Sequence, residues 1–132
     1  MTSPLLVIAD DDAHMRSLVR DTLHPEYPDA IELPDGRALF WQLMRASFGV
    51  NARDLVVVTD IRMPTYSGLE VLDAWRAQGD HVPIVVITAF PDEKIRGRVG
   101  VLDATLLAKP FTRAQLRLAV REAVRRAKGA AA

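Results

Sequence analysis

"DLVVVTDIRMP", residues 54–64, sets an uncharged, mostly β-branched run directly before an acid, with a proline four residues on. Leu55–Thr59 shows no alternation of apolar and polar residues, so both faces of the strand it forms must be covered. Strands read this way inside a parallel sheet. "IVVIT" at 84–88 is a second run of the same kind. Working outward, Leu5–Ala9 and Thr105–Ala108 are further apolar runs, and "AIEL" at 30–33 is a weaker one between Pro28 and Pro34.

The segments between these runs have helical period. Met15, Leu18, Val19, Thr22 and Leu23 make one face; Leu39, Leu43 and Met44 make a second, with Trp41 at its margin. Leu69, Leu72 and Trp75 make a third, and Leu116, Ala119, Val120, Ala123, Val124 and Ala127 a fourth. The stretch 91–103 is the weakest helix, because Gly97 and Gly100 each cost about 1 kcal/mol relative to alanine. Strand and helix therefore alternate five times. Such alternation gives an α/β fold: a five-stranded parallel sheet with helices on both faces and right-handed crossovers.

The chain has 132 residues, which suits one domain over 1–132, structured from about 4 to 128. No apolar run approaches the length of a membrane span, and the N-terminus has no signal-peptide pattern, so a cytoplasmic location is expected. Without cysteine there is no thiol catalysis and no thiolate metal site. Seventeen basic residues balance seventeen acidic ones, so bulk charge gives no drive toward nucleic acid. The distribution is uneven. Residues 109–128 hold seven basic residues against Glu122 alone, leaving that segment at +6 and the remainder at −6.

In open α/β sheets, ligands bind beyond the carboxyl ends of the strands. Those ends carry Asp10-Asp11-Asp12, Asp60, Thr88 and Lys109. Singly, each has an ordinary explanation: an aspartate caps the next helix, a threonine bonds backbone, a lysine is solvated. Together they place carboxylates, a hydroxyl and an ammonium at one crevice. All-oxygen donors favour a hard divalent cation, with Mg²⁺ the natural candidate. An aspartate beside such an ion can attack phosphorus, and a lysine and a hydroxyl can then neutralise the phosphoryl oxygens.

The stretches "LLVIADDDAHMRSLV", "DLVVVTDIRMPTYSGLEVL", "PIVVITAF" and "LLAKPF" together resemble the receiver domain of two-component response regulators. The resemblance implies a flavodoxin-like (βα)5 fold with strand order 2-1-3-4-5. It implies Asp60 as the phosphoacceptor, with Thr88 and Lys109 contacting phosphoryl oxygens. Mg²⁺ would be held by Asp10, Asp11, Asp60 and the backbone carbonyl of Arg62. A cis Lys109–Pro110 bond would aim the lysine, and Gly68 would permit a tight turn before the third helix. The implied partners are a sensor histidine kinase or phosphotransfer protein, and an output partner at the face of the fourth and fifth helices, with a homodimer as one form.

Three departures from the family pattern stand out. Leu106 occupies a place that is usually aromatic in receivers. The Thr88-to-Lys109 segment is short and glycine-bearing, which predicts a mobile or distorted fourth helix. The Asp11-to-Asp60 stretch is long, which predicts an extended second helix or exit loop near "SFGVNARD". Arg62 and Phe90, each two residues past a site residue, are expected to cover the site and tune the lifetime of the phosphoryl group. Arg113, Arg117, Arg121 and Arg125 recur every four residues along the last helix, and Leu118 is expected to stand exposed among them. This is either a solvated face or a partner surface; without a recognition motif, direct nucleic-acid binding is not expected.

Two other readings use the same residues. A receiver-like interaction module that is never phosphorylated would keep the fold, and Leu106 favours it. A small aspartate-nucleophile phosphatase would need D-x-D followed by a hydroxyl residue after the first strand, where this chain has Ala13 and His14.

Overall fold

A computed structural model describes residues 3–48 and 53–131. Ten elements alternate along the chain: β1 (Leu5–Ala9), α1 (Ala13–Leu23), β2 (Ala30–Leu33), α2 (Gly36–Phe48), β3 (Leu55–Asp60), α3 (Gly68–Arg76), β4 (Ile84–Thr88), α4 (Glu93–Val101), β5 (Thr105–Ala108) and α5 (Arg113–Ala131). The strands form one sheet in the order β2-β1-β3-β4-β5, and every pairing is parallel. This is the flavodoxin-like arrangement that the resemblance to receivers implies.

Alternate residues of each strand feed two cores. Val7, Leu55, Val57, Ile84 and Val86 pack under Leu39 and Leu43 of α2, Leu69 and Leu72 of α3, and Val99 of α4. Leu6, Ile8, Val56, Val58, Val85 and Ile87 pack under Val19 and Leu23 of α1 and Leu116, Val120 and Ala123 of α5. Each fully buried leucine contributes about 1.5–3 kcal/mol relative to leaving it exposed. β3 and β4 have no water-facing side, which is why their sequences do not alternate.

Side-chain caps set several helix starts. Asp12 accepts from the His14 N–H at 2.9 Å, Ser67 from Glu70 at 3.2 Å, and Asp92 from Ile95 at 2.8 Å. Each removes one unpaired donor from a first turn.

Several expectations need correcting. Trp41 does not join the α2 core face; it is 56% exposed, and its ring meets the half-buried Phe40 edge-on at 5.7 Å. α4 is a regular capped helix, not a distorted one, because Gly97 and Gly100 lie on its open side and need no special backbone angle. α2 reaches Phe48, and residues 49–52 of the long stretch before β3 lie outside the described residues. α5 runs past residue 128 to Ala131.

The arginine stripe of α5 is not one free face. Arg113 donates to the Thr22 hydroxyl of α1 at 3.1 Å, and Arg121 lies 3.5 Å from Glu26 just beyond α1. Arg125 pairs with Glu122 in its own helix. A four-residue repeat on a 3.6-residue helix drifts, and here two of its members, Arg113 and Arg121, reach the α1 side. The opposite flank carries Arg126, which reaches Asp103 after α4. Leu118 stands 61% exposed, as expected.

Candidate functional site

The carboxyl ends of β1, β3, β4 and β5 converge. Asp10 follows β1 and is buried, 3% exposed; Asp60 closes β3 and is 8% exposed. Asp11 is exposed beside them. Carboxylate oxygens of Asp10, Asp11 and Asp60 lie within 4.8 Å of one another. The sheet register sets the rest. Asp60 pairs with Ile87, so Thr88 ends the next strand one residue on; Thr88 pairs with Ala108, so Lys109 follows immediately.

Lys109 Nζ donates to Asp60 Oδ2 at 3.1 Å and lies 3.9 Å from Asp10 Oδ2. Its backbone N–H donates to the Thr88 carbonyl at 2.8 Å, and the Lys109–Pro110 peptide is cis. The Thr88 hydroxyl oxygen accepts from the Phe90 N–H at 3.0 Å, which leaves its own proton free to donate. Asp60 Oδ1 accepts weakly from the Arg62 N–H at 3.3 Å.

Burial raises the Asp10 carboxyl from 3.8 to about 6. The hydrogen bond from the Asp12 N–H opposes this, and the nearby Asp60 charge adds to it. Crowded, water-poor carboxylates hold protons more tightly unless a cation neutralises them. The described donor set is all oxygen and carries one lysine against three acids, which fits a hard divalent cation.

The Arg62 guanidinium lies over the Phe90 ring, 4.6 Å from its centroid. The two residues join the loops after β3 and β4 by a cation–π contact. Gly68 serves the site differently from the expectation. It has no positive φ; a Cβ there would strike the Asp60 carbonyl, so its lack of a side chain is a matter of space. The unusual backbone is at Thr65, with φ 75, where Tyr66 N–H donates back to the Pro64 carbonyl in a γ-turn. Asp12, the third acid of the run, caps α1 and is not in the cluster.

Sequence reading missed Arg16. Its Nη1 donates to the Asp10 carbonyl at 2.7 Å. The available signal was weak: a cation in the first turns of a helix sits against the helix dipole and so calls for another reason to be there.

Comparison with known proteins identifies the family of this fold. The family model for the response regulator receiver domain matches residues 6–121. Response regulator MprA of Mycobacterium sp. (strain KMS) is 36% identical over 132 residues, covering 92% of this chain and 50% of MprA. Sensor histidine kinase TmoS of Ectopseudomonas mendocina is 34% identical over 122 residues, covering 89% of this chain and 12% of TmoS. The chain thus spans half or less of the length of these relatives. Among solved structures, the chemotaxis response regulator CheY4 of Vibrio cholerae superposes with a TM-score of 0.76 at 25% identity, covering 92% of this chain and 99% of CheY4. On sequence, topology and the convergence of its strand ends, this chain belongs to the response regulator receiver domain family.

Proposed function

We infer that the domain accepts a phosphoryl group on Asp60 from a phosphohistidine of a sensor kinase or phosphotransfer protein. The observation that carries this is the position of Asp60: a nearly buried carboxylate held by Lys109 at 3.1 Å and facing two further carboxylates. In the transfer, the donor P–N bond breaks and a P–O bond forms at an Asp60 oxygen, with the electron pair returning to the imidazole. Lys109 neutralises a phosphoryl oxygen, and Thr88 donates its hydroxyl proton to another. Asp10, Asp11, Asp60 and the Arg62 carbonyl would hold Mg²⁺. When bound, that ion supplies the positive charge that offsets both the acidic cluster and the incoming phosphate.

The Arg62–Phe90 pair would slow the approach of water to the phosphoryl group and so lengthen its life. The added charge biases Thr88 inward and shifts the surface of α4, β5 and α5 toward an output state. Leu106 is partly buried in the core under α4 and takes no part in a swinging aromatic. An effector or a second copy at that surface, and a cytoplasmic setting, complete the proposal.

Beryllofluoride mimics the aspartyl phosphate. With Mg²⁺ it is expected to bind the wild type and not Asp60→Asn, measured by calorimetric titration. A wild type that binds none overturns the reading.

A further inference from the structure

β1 pairs with β2 only as far as Ala9 opposite Leu33. Asp10 N–H still donates to the Leu33 carbonyl at 3.1 Å, but the Asp10 carbonyl lies past the last paired position, where Pro34 turns β2 away. Arg16 takes that carbonyl. Its Nη1 donates to it at 2.7 Å, folding back from the start of α1 across the turn that carries Asp10 and Asp11. The Arg16 side chain is largely buried, 17% exposed. Its Nε has no hydrogen-bond partner among the described residues but lies 3.5 Å from Glu32 Oε1. Glu32 Oε2 is held in turn by Arg20 at 2.8 Å. A cation here opposes the α1 dipole, so the carbonyl and Glu32 are what keep it in place.

The geometry points to Arg16 as a positioning residue for the acidic site: braced by Glu32, it fixes the backbone turn that aims Asp10 and Asp11 at one point. It touches no carboxylate of the cluster in the hydrogen bonds described; its hold is on the main chain behind them. The inference rests on the proposal that Asp10, Asp11 and Asp60 bind a divalent cation. Partners that orient metal ligands from behind typically matter to affinity by 10–100-fold.

Arg16→Met keeps the apolar stem and removes the donor. It is expected to weaken Mg²⁺ binding roughly tenfold by calorimetric titration, the lower end of that range. In the metal-free protein it is expected to speed amide exchange at Asp12 and His14, whose N–H groups the turn now holds. Arg16→Lys, which can still donate to the carbonyl, should recover most of the affinity. Arg20→Met removes a Glu32 pairing but no bond to Asp10, and should leave Mg²⁺ affinity within about twofold of wild type. Wild-type Mg²⁺ affinity and unchanged exchange in Arg16→Met overturn the assignment, as does equal weakening by Arg20→Met. A wild type that binds no Mg²⁺ overturns the metal reading and this inference with it; the wild-type titration separates that result from failure of Arg16 alone.

Discussion

The run Asp10-Asp11-Asp12 holds three identical side chains in three different places. Asp10 is buried at the end of β1, Asp11 stands at the rim of the cluster, and Asp12 turns away to cap α1. Asp11→Ala is therefore expected to abolish Mg²⁺ binding in a titration. Asp12→Ala is expected to keep it and to cost about 1 kcal/mol of stability in chemical denaturation, the usual worth of such a cap. Equal loss of Mg²⁺ affinity in both would contradict the division. Asp10 gives a pH signature. Its folded carboxyl holds a proton up to about pH 6, whereas unfolded it loses it near 3.8. Its contribution to stability is thus fully present below the lower value and is lost as pH rises through the higher one, a loss of roughly 3 kcal/mol in the metal-free protein. Denaturation of wild type and Asp10→Asn across pH 4–8 should show the asparagine variant gaining relative to wild type as pH rises. A difference flat with pH would contradict this. Asp10, Asp11, Asp60, Thr88 and Lys109 were legible because strand ends in a parallel sheet meet at one edge. Arg16 was not, because a side chain bonded to a main-chain carbonyl leaves no pattern in residue types.

Elements show where periodicity informs and where it fails. β3 and β4 were read from their unbroken apolar runs, since double burial leaves no polar face to keep. The short, glycine-bearing segment before β5 predicts a mobile or distorted α4, and the structure answers only the second half of that. The helix is regular, since both glycines face solvent and a Cβ at either would meet nothing within 4 Å. Its attachment is nonetheless thin. Val99 is its buried residue, and Arg98 ties it to Asp73 of α3 through a half-exposed ion pair that is worth little. Its amides are expected to exchange faster than those of α1, which buries Val19, Thr22 and Leu23. Equal protection of the two helices would contradict that ordering. The arginine repeat of α5 stays largely exposed, Arg121 and Arg125 by more than half, as a solvated face would. The spacing was real, but which neighbour it faced depended on the packing of α1 against α5, which no local pattern encodes.

Across the whole molecule, the strand order β2-β1-β3-β4-β5 came from resemblance and not from periodicity, because alternating strand and helix permits many orders. That order assembles the candidate site. It puts β1 beside β3 and so brings Asp10 and Asp11 to Asp60, and it puts β4 and β5 on the far side to deliver Thr88 and Lys109. No helix among the described residues is long and apolar enough to cross a membrane. The central claim is that this convergence makes Asp60 a phosphoacceptor. The direct measurement is to incubate the protein with a phosphorylated histidine donor, with Mg²⁺ or with a chelator, and to locate the modification by peptide mass spectrometry. The account predicts one phosphoryl group on Asp60, formed with Mg²⁺ and absent with the chelator and in Asp60→Asn. Transfer to another residue, or none with Mg²⁺ present, would contradict it.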